Sequence, residues 1–96
     1  MKPIQVRLMN DYGAGWPLWM DGLTDESDWN FSAPLGRRLT AWAKFFDAHF
    51  SWERGWDSAA ACMQHRAEGV ALHRILVAEL GSGYEVVLDS WETKTC

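Results

Sequence analysis

Cysteine, clustered basic residues and long apolar runs are scarce in this chain, and each shortage excludes something. Two cysteines, Cys62 and Cys96, are too few for a disulfide framework, and a reduced intracellular protein is the simplest reading. No stretch approaches the roughly 18 apolar residues of a membrane helix, and Met1 to Leu8 lacks the apolar run of a signal peptide. A cytoplasmic location with no membrane association follows by elimination. The nine Lys and Arg residues are dispersed, with Arg37-Arg38 the only adjacent pair, so the electrostatic funnel of a nucleic-acid binder is missing. A formal net charge of −4 also disfavours non-specific nucleic-acid binding.

Catalytic and ligand-binding signatures are missing as well. No G-x-S-x-G, no H-E-x-x-H and no cysteine in a nucleophile setting is present. Gly13-Ala14-Gly15 lacks a following Lys-Ser/Thr and opens no helix, so it is no phosphate loop. Cys62 and His65 stand three apart on a predicted helix and could share a metal ion with His49, but a structural zinc site needs a fourth ligand. The sequence therefore predicts no enzyme, no metal and no cofactor. Cys62 reads as a small buried apolar residue, and His65 as exposed or hydrogen-bonded.

Tryptophan, by contrast, is abundant: seven in 96 residues, at positions 16, 19, 29, 42, 52, 56 and 91. Only Trp42 falls inside a clear helical stripe. The others lie in connections or at segment ends. Such residues either lid a small core or anchor a partner. With 48% apolar and 23% charged residues, the chain is an ordinary globular domain.

Ile4, Val6 and Leu8 alternate with polar positions and predict a half-buried strand. Trp16 to Met20 is a short apolar run, read as an antiparallel return strand; Pro17 cannot donate to a ladder and places it at an edge. The acidic stretch from Asp21 to Phe31 reads as a loop. Ser32 and Pro34 open a helix, and Leu35, Leu39, Trp42, Phe46 and Phe50 give it one apolar face. Gly55 marks a turn. Asp57 or Ser58 caps a second helix, whose stripe is Cys62, Gly69, Leu72, Leu76 and Leu80. Gly69 costs roughly 1 kcal/mol there relative to alanine, which close approach of the first helix would offset. Gly81 suits a left-handed cap, and Tyr84, Val86 and Leu88 define a final strand. The expected order is strand, short strand, helix, helix, strand. This is an α/β two-layer sandwich, with a small sheet of two or three strands packed on an antiparallel helical hairpin. Residues 1–91 form the single domain, and 92–96 a flexible polar tail.

The run Val6-Arg7-Leu8-Met9, Asp11-Tyr12 and Trp16-Pro17-Leu18-Trp19 carries a resemblance. So does the later pattern Glu68-Gly69, Leu72, Leu76, Glu79-Leu80-Gly81 and Tyr84-Glu85-Val86. Together they resemble a group of short actinobacterial proteins with no established activity. The resemblance implies a free-standing small domain and nothing about chemistry. The extra Gly13-Ala14-Gly15 and the Cys96 tail depart from the pattern.

The candidate partner-binding residues are Asp11, Tyr12, Trp16, Trp19, Asp21, Asp25, Glu26, Trp52 and Trp56. The tryptophans would be anchors, and the carboxylates an acidic rim. The bland reading is that Trp16 and Trp19 close the open side of the sheet, and that Trp52 and Trp56 cap the end of the helical hairpin. The function these features fit is a non-enzymatic protein-binding module, an inhibitor of the immunity-protein or antitoxin kind. The competing readings are a homodimer using the same tryptophans, and a small enzyme or sugar-binding domain using the Trp-rich loop.

Overall fold

A computed structural model describes residues 2–96. Its main sheet has three strands: β1 (Ile4–Met9), β2 (Leu18–Trp19) and, at the far end of the chain, Tyr84–Asp89. β1 lies in the middle. β2 pairs with it antiparallel, Arg7 opposite Trp19 and Leu8 opposite Leu18. The expected alternation holds at the centre of β1, where Val6 and Leu8 are fully buried and Gln5 and Arg7 are exposed. Ile4, at the start of the strand, is 52% exposed and contributes little to the core.

The final strand pairs with β1 in parallel, in register from Ile4–Tyr84 to Met9–Asp89. Parallel neighbours need a long crossover, and two helices supply it. α1 spans Ala33–His49 and α2 spans Ala59–Leu80. Both start as the sequence predicts: the Ser32 hydroxyl accepts from the Leu35 N–H, with Pro34 in the first turn, and the Ser58 hydroxyl accepts from Ala61. α2 stops at Gly81, whose φ of 76° is open to glycine at no steric cost. The core joins Val6, Leu8 and Leu18 of the sheet to Leu35, Leu39 and Trp42 of α1 and to Leu72 and Leu76 of α2. Tyr84, Val86 and Leu88 pack against it, half-buried.

The glycine at position 69 has the explanation its place in mid-helix asks for. A Cβ there would sit 2.9 Å from Cζ2 of Trp42. The indole lies where an alanine methyl would be, so α1 reaches α2 only because the side chain is absent. On the solvent side Arg38 and Glu68 join the helices through two hydrogen bonds of 2.7 and 2.9 Å. The Glu68 carboxylate, by hydrogen bond and then by charge, holds the Arg38 guanidinium above its ordinary pKa. Both groups are partly solvated, so the pair adds little stability.

Three expectations are corrected. The interhelical turn is a small antiparallel hairpin, β3 (Phe50–Ser51) and β4 (Gly55–Trp56), so the final strand becomes β5. Gly55, at φ 73°, permits its tight return. The cysteines are not free thiols: Cys62 of α2 is bonded to Cys96. Nor does the tail fray from residue 92. Trp91–Thr93 forms a 3-10 turn, and Glu92 and Thr93 are buried. Among the described residues no helix is long and apolar enough to cross a membrane.

Candidate functional site

The tryptophans divide sharply once their indole N–H groups are followed. A buried indole needs an acceptor, and six of the seven find one inside the chain. Trp16 and Trp29 both donate to Thr24 Oγ1, at 3.2 and 2.9 Å, and that hydroxyl donates to the Leu18 carbonyl. Thr24 thus uses one donor and two acceptor positions, its full capacity. Trp19 donates to the Met9 carbonyl, Trp42 to His65, Trp56 to Glu92 and Trp91 to Asn10. Trp52 alone has no such bond within the described residues. It stands 76% exposed in the turn between β3 and β4.

Beneath the aromatic residues lies a buried polar cluster. Asn10 follows β1, His65 is on α2 and Glu92 follows β5. Asn10 Nδ2 donates to Glu92 Oε2 at 2.7 Å, and His65 Nε2 lies 2.9 Å from the same oxygen. Asn10 Nδ2 also lies 2.8 Å from His65 Nε2, so the tautomer sets the roles: protonated, Nε2 donates to the Glu92 oxygen; unprotonated, it accepts from Asn10. The pair is shielded almost completely, at 0% and 1% side-chain exposure. Trp42 stacks on the imidazole, with centroids 4.5 Å apart and planes 2° apart. The imidazole is closed off from solvent, and the arrangement ties together three distant chain segments. Asn10 Oδ1, His65 Nδ1 and Glu92 Oε1 meet no protein partner among the described residues. The cluster therefore specifies how the segments meet more than it adds net stability.

The turn after β1 and the interhelical hairpin converge above this cluster. Tyr12, half exposed, lies 6.2 Å from Phe50 and 6.0 Å from Trp91, ring to ring. Phe50 and Trp56 meet edge to face at 5.3 Å. The Gly13 N–H donates to Asp47 at the end of α1, and His49 pairs with Asp57 at 2.8 Å. Tyr12, Phe50 and Trp56 thus form one supported aromatic group, with Trp52 projecting from the same hairpin. Asp11, Asp47, Glu53 and Asp57 are all exposed here, as is Arg54.

The structure brings some predicted site residues together and separates others. Asp11, Tyr12, Trp52 and Trp56 share this region. Trp16 is in the core at 6% exposure, while Trp19 is half-buried with its indole turned to the backbone. Asp21 follows β2. Asp25 and Glu26 start a separate 3-10 turn, where Asp25 caps the Ser27 N–H and Glu26 lies against Gly36 of α1. All three carboxylates are exposed. Sequence reasoning missed Thr24, Asn10 and Glu92. Each lies in a polar stretch that reads as loop or tail, and nothing local marks it as an internal hydrogen-bond partner. Among the described residues no group of His, Cys, Asp and Glu could hold a metal ion.

A protein-family model described as Serratia CdiI immunity protein-like matches residues 4–90, from the first residue of β1 to just past the end of β5. No curated protein matches the chain.

Proposed function

Because the chain belongs to the Serratia CdiI immunity protein-like family, we propose that it is a non-enzymatic inhibitor that binds a toxin protein and occludes its working surface. The family match over residues 4–90 carries this reading. The surface supports it. A domain whose other six tryptophans are bonded internally still presents Trp52 and Tyr12 to solvent, amid exposed carboxylates. Among the residues singled out in the sequence, Asp11, Tyr12, Asp21, Asp25, Glu26 and Trp52 are accessible to a partner. Trp16, Trp19 and Trp56 act by holding the framework beneath. An acidic face raises the encounter rate with a basic partner.

The test is to capture the partner from a lysate and then run titration calorimetry with that purified toxin domain, paired with survival of cells expressing it. A one-to-one complex and restored growth are expected. A toxin that neither binds nor is silenced would remove the proposal.

The proposed place of action is the cytoplasm, where thiols are kept reduced. Cys62 and Cys96 are bonded in the fold, so whether that bond exists in the cell reports the redox state of the compartment. Alkylating at the moment of lysis and weighing the intact protein tests this. Two added alkyl groups support a cytoplasmic site, and an unmodified pair places the protein in an oxidising compartment.

A further inference from the structure

We infer that Trp52 is the anchor this chain inserts into an apolar cleft of its partner, and that the partner rings that cleft with Lys and Arg side chains. The inference rests on the inhibitor reading and adds the chemistry of the contact. Its starting point is the contrast among the tryptophans. Six are held by internal hydrogen bonds. Trp52 is 76% exposed, and among the described residues its indole makes no hydrogen bond or aromatic pair. The turn itself does not require an aromatic residue. Its geometric need is met by Gly55 at φ 73°.

The hairpin beneath Trp52 is firmly based. Phe50 pairs with Trp56 across it, the Asp57 N–H donates to the His49 carbonyl at 2.9 Å, and the two side chains meet again at 2.8 Å. A large exposed ring on a braced support loses little conformational freedom on binding, which is what interface anchors share. Burying an indole removes roughly 150–250 Å² from water. That requires a cleft lined by apolar groups, with an acceptor for the free N–H.

The charges around the hairpin define the rim. Asp11, Asp47 and Glu53 are exposed on and beside Trp52's hairpin, with Arg54 among them and Asp57 paired with His49. A partner acidic here would be repelled, and one with cationic residues around the cleft is complementary.

The experiment compares wild type with Trp52→Ala and Glu53→Gln against the captured toxin domain, by surface-based kinetics at two salt concentrations. Trp52→Ala is expected to weaken binding at least about 30-fold, mostly through faster dissociation, as a hot-spot loss of ~2 kcal/mol implies. Its melting temperature should stay within about 2 °C of wild type, since the residue is exposed. Glu53→Gln should slow association, and by less at high salt. If wild type does not bind, the inhibitor reading falls and the anchor with it. If wild type binds and Trp52→Ala binds equally well, the anchor falls alone. If sedimentation velocity instead shows a wild-type dimer that Trp52→Ala dissolves, the cleft belongs to a second copy and the partner inference is overturned.

Discussion

Trp42→Ala is expected to cost roughly 3–5 kcal/mol, the range of aromatic truncations in a core. The ring is 4% exposed, stacks on His65, donates to the His65 carbonyl at 2.9 Å and fills the space left by Gly69. No neighbour can collapse into the hole easily, because one wall is a helix backbone and the other a ring held by hydrogen bonds. Since small domains have only about 5–15 kcal/mol of net stability, the substitution removes a large share of it. Urea denaturation followed by far-ultraviolet circular dichroism measures it. A loss below about 1 kcal/mol would show that the indole is not packed between the helices as described.

Glu92→Ala should be nearly as damaging, at roughly 3–5 kcal/mol, the cost of removing one partner from a buried polar cluster. It leaves His65 and Asn10 in the interior without the oxygen that both share. Glu92→Gln keeps the shape and one acceptor, and should lose clearly less. A double-mutant cycle with Asn10→Ala separates the coupling from the burial, and a coupling energy near zero would show that the two residues do not meet. The result matters beyond stability. Glu92 also supplies the carbonyl that Trp56 holds at 2.8 Å, and Trp91 beside it packs against Tyr12 and Phe50. Loosening this segment should unsettle the aromatic group from which Trp52 projects, so Glu92→Ala should weaken toxin binding without touching the toxin. Trp52→Ala should weaken it without destabilising the fold. The two variants thus separate support from contact.

The tryptophans show where reading a sequence stops. Trp42 lies on a 3.6-residue stripe, and that periodicity alone put it in the core. Trp16, Trp19, Trp52 and Trp56 carry no such mark. Their burial depends on which carbonyl or hydroxyl lies within 3 Å or so of the indole. Trp16 shares Thr24 with Trp29, and Trp56 reaches the carbonyl of Glu92 thirty-six residues away. A lid and an anchor have the same composition and the same flanking residues. They differ only in what the rest of the chain places opposite them.

From the sequence alone came β1, both helices with their serine caps, the glycine stop of α2, the glycine crossing at position 69 and the final strand. All of these follow from local rules: alternation, helical spacing, capping chemistry and the conformational freedom of glycine. The chain's membership of an immunity-protein family rests on that same linear order of residues. Only the tertiary structure decided the parallel pairing of β5 with β1, the hairpin between the helices and the bonding of Cys62 to Cys96. It alone brought Asn10, His65 and Glu92 into one buried cluster and left Trp52 unpaired on the surface. Apart from the hairpin, whose Phe50 and Trp56 pair locally, these are contacts between residues 27 to 82 apart, or the lack of them. Such contacts leave no local periodicity, because their energy exists only once the chain has brought its distant parts together.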